Sequence, residues 1–110
     1  MHRITMYEEE RPDIKISMEL YFKDTGQLIF EGYDIGQRVQ EIWGESDYEY
    51  YYTIEPPAVE QLYPLLSVDR LDKAALLLAV KERFGGNEAY SLFGKFMREN
   101  NISFSSFTWR

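Results

Sequence analysis

The clearest pattern in the chain is the alternation of apolar and polar residues between positions 14 and 22. Every second residue from Ile14 to Phe22 is apolar, which is typical of a strand with one buried face. The turn sequence Asp-Thr-Gly follows at 24–26, with glycine where a left-handed backbone is needed, and a second apolar run begins at Leu28. The pattern predicts a β-hairpin over 14–34, with Lys23 opposite Gln27 and the apolar side chains of both strands on one face.

The same register makes a specific prediction about charge. It pairs Leu20 with Phe30 on the inner face and Glu19 with Glu31 on the outer face. Two like charges placed directly opposite each other are mildly destabilising unless a cation lies nearby.

A second strand is predicted over 46–55, where four of the nine tyrosines are interleaved with carboxylates before two prolines. Alternation assigns one face to an apolar and aromatic set, predicted to be core: Tyr48, Tyr50, Tyr52 and Ile54. It assigns the other face to Asp47, Glu49, Tyr51, Thr53 and Glu55.

Apolar residues at helical spacing predict four helices, over about 35–43, 57–66, 70–84 and 87–100. Asp34 and Gln37 resemble a capping box for the first helix, and either Asp69 or Asp72 caps the third. Asn87 is the expected N-cap of the fourth. Proline at 64 predicts a kink or an early end of the second helix, and the apolar block 74–80 predicts a helix buried between neighbours.

Glycine at 94 lies inside the fourth helix, where it costs about 1 kcal/mol relative to alanine. Such a residue indicates a close packing contact.

The two ends of the chain predict further strands. Residues 102–109 are rich in aromatic and hydroxyl side chains and predict a C-terminal strand with a bulge at 105–106, where the apolar parity shifts. A short edge strand around Ile4 and Met6 is expected to end at the charged segment 8–13, a solvated loop. The whole chain, 1–110, is therefore predicted to be a single α+β domain, with helices packed on one face of a mainly antiparallel sheet.

Composition narrows the classes of function. The 110 residues include no cysteine, and no apolar run approaches the roughly 20 residues of a membrane-spanning helix. We therefore expect a cytoplasmic location. The net charge of −7 disfavours nucleic acid and anionic membranes as partners. It permits a basic protein partner, and the alternative is that the charge only keeps a small protein soluble.

The sequence offers no catalytic constellation, and neither a metal site nor a cofactor is predicted. His2 is the single histidine, so an internal serine has no imidazole base. The glycine-bearing turns at 32–36 and 85–87 lack the further glycines and the lysine of a phosphate loop. The acidic segment 8–13 lacks the spacing of a calcium loop.

The tyrosines and carboxylates of the strand 46–55 favour a binding surface. Tyrosine contributes contact area and a hydrogen bond at small entropic cost, and neighbouring carboxylates attract a cationic partner. The candidate binding residues are Glu45, Asp47, Glu49, Tyr51 and Glu55. The alternative for these tyrosines is a structural ladder across neighbouring strands.

Three segments also carry a resemblance to a known class of proteins. They are Gly-Tyr-Asp at 32–34, Trp-Gly-Glu-Ser-Asp-Tyr-Glu-Tyr at 43–50, and Phe-Gly-Gly-Asn-Glu-Ala-Tyr-Ser-Leu-Phe-Gly-Lys-Phe at 84–96. Over 14–109 the chain resembles small acidic uncharacterised bacterial proteins, which in turn resemble the immunity proteins of bacterial toxin systems. The resemblance implies a cytoplasmic inhibitor that binds a toxin domain and blocks its basic active site.

Two other classes of function stay open. One is a homo-oligomeric structural or scaffolding protein whose aromatic strands pair across subunits. The other is a small ligand-binding domain or enzyme of unknown substrate, with a pocket between sheet and helices.

Overall fold

The computed structural model describes residues 2–36 and 47–109, which form one antiparallel sheet and three helices. The strands are β1 (Arg3–Arg11), β2 (Ile14–Phe22), β3 (Leu28–Ile35), β4 (Asp47–Ile54) and β5 (Ser105–Trp109), and they lie side by side in chain order. The helices are α1 (Pro56–Leu65), α2 (Lys73–Phe84) and α3 (Ala89–Glu99). The predicted α+β class with a mainly antiparallel sheet is confirmed.

The β2–β3 hairpin has the predicted register. The backbone N–H of Lys23 donates to the carbonyl of Gln27 at 2.9 Å, and Leu20 pairs with Phe30. Gly26 has φ +89°, the left-handed conformation that the turn requires. Glu19 does lie opposite Glu31, and the cation that this pair needs comes from β1, where Arg3 forms an ion pair with Glu19.

The two faces of β4 are also as predicted. Tyr50, Tyr52 and Ile54 are buried, and Tyr48 packs against the edge of the core. The core fills the space between this face of the sheet and the helices, with Phe30 of β3 and Phe93 of α3 fully buried at its centre.

The helices begin and end close to the predicted positions, but three other predictions about them need correction. Helix α1 includes Pro64 and ends at Leu65, so the early end allowed by the sequence does not occur, because a proline this near the end removes few intrahelical bonds. Helix α3 begins at Ala89 after Glu88, so Asn87 is not its N-cap. Helix α2 is not buried all round, since Leu78 is 49% exposed.

The helix predicted over 35–43 is wrong at its start. Asp34 and Ile35 belong to β3, where they pair with Tyr48 and Asp47 of β4. Asp34 is therefore a strand residue and not a helix cap. The rest of that prediction, from position 37 on, lies outside the described residues, as does Ser46 at the start of the predicted strand 46–55.

The first strand is longer than predicted, because the charged segment 8–11 continues it instead of forming a loop. Strand β1 lies at one edge of the sheet, where charged side chains can stay exposed. One of them, Arg11, forms an ion pair with Glu9. The pairing with β2 shifts by one residue between Thr5 and Tyr7, which places the extra residue Met6 in the core.

The C-terminal strand is shorter than predicted and has no bulge. Ser105 and Ser106 pair in unbroken register with Thr53 and Tyr52. The shift in apolar parity has another cause, since Ile102 is buried in the connection that precedes the strand.

Candidate functional site

The sheet has one face that no described helix covers, called here the open face. Cross-strand pairing assigns six carboxylates to it and two cationic side chains. The carboxylates are Glu8, Glu10, Glu19, Glu31, Asp47 and Glu49, and the cations are Arg3 and Lys15. The described part of this face is therefore strongly acidic.

Tyrosines and carboxylates alternate on the open face where β3 lies beside β4. Glu31 is paired with Tyr51, and Tyr33 is paired with Glu49. The Tyr51 hydroxyl donates to Glu49 at 3.2 Å, and the Tyr33 hydroxyl donates to Asp47 at 3.4 Å. These two carboxylates are thus positioned on the open face by hydrogen bonds from neighbouring tyrosines.

A concavity of about 450 Å³ lies over this tyrosine–acid pattern, and we call it the open-face concavity. Its lining includes three carboxylates, one lysine and two tyrosine rings: Glu8, Glu31, Glu49, Lys15, Tyr33 and Tyr51.

The tyrosines of the open face are neutral hydrogen-bond donors near pH 7. Burial, and then the charge of Glu49, raise the pKa of Tyr51 to about 12. Burial, followed by Asp47, raises the pKa of Tyr33. A tyrosine whose pKa is raised stays protonated near pH 7 and acts there as a hydrogen-bond donor.

The predicted binding residues do not all lie together. Glu49 and Tyr51 line the open-face concavity, and Asp47 lies beside it through Tyr33. Glu55 lies past the opposite end of β4, where it precedes α1 and accepts two hydrogen bonds from Gln27 Nε2 at 2.9 and 3.1 Å. Glu45 lies outside the described residues.

Sequence reasoning missed the contribution of the neighbouring strands. Glu31 and Tyr33 come from β3, whereas Lys15 and Glu8 come from β2 and β1. The hairpin register already placed Glu31 on the outer face. What was missing was the pairing of β3 with β4, which brings that carboxylate next to Tyr51.

The described residues contain no arrangement of three histidine, aspartate or glutamate side chains that suits a metal ion, although three carboxylates line the concavity. In the same part of the chain, none of the helices has the length and apolar character needed to cross a membrane.

The fold and the concavity together define an α+β domain with an acidic, tyrosine-bearing sheet face. Comparisons of this chain with protein-family models, with curated proteins and with solved structures each found no match.

Proposed function

We propose that this protein is a non-catalytic, immunity-type inhibitor that binds a basic toxin or effector domain through its open face. The observation that carries the proposal is the open-face concavity, in which Glu31 and Glu49 flank the ring of Tyr51. A lysine or arginine side chain of the partner fits this chemistry, because it can pair with the carboxylates while its aliphatic part packs on the ring.

Charge supports the same proposal at longer range. The six carboxylates of the open face and the net charge of −7 attract a basic protein and raise its association rate. The partner's basic active site is then covered by an acidic surface, and this is sufficient for inhibition without any catalytic step by the inhibitor.

Tyr51 has the properties of an interface hot spot. It is partly buried at the middle of β4, and its ring lies 6.2 Å from the ring of Phe107 on β5. Tyrosines in central, partly desolvated positions typically dominate binding energy, whereas peripheral charges mainly affect association rates.

The test is a binding measurement with the product of the adjacent gene as candidate partner. Isothermal titration should give a dissociation constant that rises at least about 30-fold in the double variant Glu49→Lys/Tyr51→Ala. A matched control is Glu82→Lys/Leu78→Ala, which makes the same charge reversal and truncates a large apolar side chain at exposed positions of α2.

The control should bind within about twofold of the parent, and circular dichroism should show that both variants fold. Equal affinities for the two double variants would remove the open face as the binding site. A basic partner that binds without dependence on salt would also contradict the proposal, because steering by exposed charge is screened by ions.

A second candidate function is self-association through β5, which is an edge strand of the sheet. All its residues from Ser105 to Trp109 are exposed and uncharged, and Phe107 and Trp109 are 59% and 54% exposed. Such an edge presents backbone donors and acceptors to a second strand.

Light scattering at increasing protein concentration tests this second candidate. A dimer mass that reverts to the monomer mass in Phe107→Lys supports it, since lysine on an edge strand opposes pairing. A monomer mass at all concentrations excludes it.

A further inference from the structure

A second cavity, of about 360 Å³, lies on the opposite side of the sheet from the open face, and we call it the inner cavity. It lies between the core-side face of β2, β3 and β4 and the first turn of α3. Its polar and aromatic lining consists of Asp34, Tyr48, Tyr50, Tyr90, Asn87 and Ser91. A pocket between sheet and helices therefore exists, and its residues indicate what it binds.

Asp34 supplies a carboxyl group to the inner cavity. The ring of Tyr50 lies directly over Gly32, and this allows its hydroxyl to donate to Asp34 Oδ1 at 2.7 Å. Burial raises the pKa of Asp34, and the hydrogen bond from Tyr50 opposes that shift. Among the described residues, no cationic side chain contributes to the shift. A half-buried carboxylate of this kind is stabilised by any cation that enters the cavity.

The three tyrosine rings of the inner cavity are close to one another. The ring centroids of Tyr48 and Tyr50 are 5.3 Å apart, and those of Tyr50 and Tyr90 are 4.7 Å apart. The hydroxyl of Tyr50 is engaged by Asp34, and that of Tyr90 donates to the carbonyl of Tyr51 at 3.2 Å. Tyr50 is 4% exposed, and one face of the Tyr90 ring is stacked on Tyr52 at 3.9 Å. What these two tyrosines offer to a ligand is therefore the remaining ring surface that lines the cavity.

The faces of aromatic rings carry partial negative charge and attract alkylammonium groups, most strongly when several rings surround the cation. We infer that the inner cavity is a binding site for a small alkylammonium cation, held by the carboxylate of Asp34 and the rings of Tyr48, Tyr50 and Tyr90. Cavities that hold small organic ligands span about 300–1,000 Å³, so a volume at the lower end fits a compact cation.

An anion is the main competitor, because the first turn of α3 reaches the cavity at Tyr90 and Ser91 and the amino end of a helix attracts negative charge. However, no lysine or arginine belongs to the described lining, and Asp34 repels an anion. Asn87 and Ser91 can hydrogen-bond to a hydroxyl group on the cation.

The test compares choline with its neutral isostere 3,3-dimethylbutan-1-ol, which has the same shape without the charge. Titration followed by NMR should show saturable shifts of the ring signals of Tyr48, Tyr50 and Tyr90 with choline. Choline should bind at least about tenfold more tightly than the isostere, because only the cation is attracted by rings and carboxylate.

Two variants and one control locate the site. Asp34→Asn should weaken choline binding at least about tenfold and leave the isostere unchanged. Tyr48→Leu removes one ring at a partly buried position and should also reduce the preference for choline over the isostere, which keeps the test decisive if Asp34→Asn does not fold. Glu82→Gln, at an exposed position of α2, should leave choline binding unchanged.

Equal affinity for choline and the isostere would overturn the inference, as would saturation by inorganic phosphate at the same residues. Loss of choline binding in Glu82→Gln would also overturn it. None of these outcomes affects the proposed function, because the partner assay depends on the opposite face of the sheet.

Discussion

The hydroxyl oxygen of Tyr52 occupies the space that a Cβ atom at Gly94 would need. A Cβ built at position 94 overlaps Tyr52 Oη and would lie only 2.8 Å from Tyr52 Cζ. Tyr52 donates from that hydroxyl to the carbonyl of Tyr90 at 3.0 Å, and its ring stacks on the ring of Tyr90 at 3.9 Å. The glycine in the middle of α3 is thus explained by the close approach of helix and sheet, as the sequence predicted.

Gly94→Ala should therefore destabilise the protein by about 1–3 kcal/mol, because the gain in helix propensity is smaller than the cost of overpacking. Urea denaturation measures the change. Lys95→Ala, at the next and exposed position, should change the free energy of unfolding by less than about 0.5 kcal/mol. In a Tyr52→Phe background the cost of Gly94→Ala should fall, and strict additivity of the two changes would argue against the contact.

Stability should depend on pH through Asp34. Burial raises the pKa of this carboxyl in the folded protein, so the folded state binds the proton more tightly than the unfolded state does. The contribution of Asp34 to stability is therefore fully present below its ordinary pKa, and it is lost as the pH rises through the raised value. The stability difference between parent and Asp34→Asn, measured by urea denaturation at a series of pH values, should change in that direction. An opposite trend would contradict a raised pKa of Asp34 in the folded protein.

Tyr51 should titrate with a pKa of about 12, mainly because of burial and secondly because of Glu49. Glu49→Gln should lower that pKa, although not to the ordinary tyrosine value, since the burial remains. NMR of tyrosine ring carbons during a titration with base gives the pKa values residue by residue. An unchanged Tyr51 pKa in Glu49→Gln would show that the two side chains do not interact.

Asp72 should be the residue that caps α2. Its side chain accepts a hydrogen bond from the backbone N–H of Ala75 at 3.1 Å. Asp72→Ala should cost about 1 kcal/mol in the free energy of unfolding. Asp69→Ala is the matched control, because Asp69 is the alternative cap that the sequence allowed, and it should have a much smaller effect.

The parts of the fold that sequence predicted best are those determined by neighbours in the chain. The turn at 24–26 connects an alternating run to a second apolar run, so the pairing of Leu20 with Phe30 follows from the turn length. Asp34 illustrates the opposite case. Its spacing from Gln37 resembles a helix cap, whereas its pairing with Tyr48 of β4 extends a strand, and that long-range pairing is not visible locally.

The candidate site was likewise predicted where it depends on one strand, and missed where it depends on pairing between strands. Alternation along β4 was sufficient to place Glu49 and Tyr51 on an outer face. The partners that complete the open-face concavity, Glu31 and Tyr33, lie on another strand, and only the register between β3 and β4 brings them there. Glu55 was grouped with them because it has the same parity, but the strand ends before it and its carboxylate is bound by Gln27.

The two edges of the sheet differ in a way that limits assembly. The edge at β1 has an irregular pairing at Met6 and is charged from Glu8 to Arg11, whereas the edge at β5 is uncharged. A sheet that can be extended at only one edge pairs with one further chain and then has no extendable edge left. A sheet with two such edges can polymerise into fibres. If chains of this protein join through β5, they stop at a closed pair, so the exposed aromatic strand does not lead to open-ended polymers.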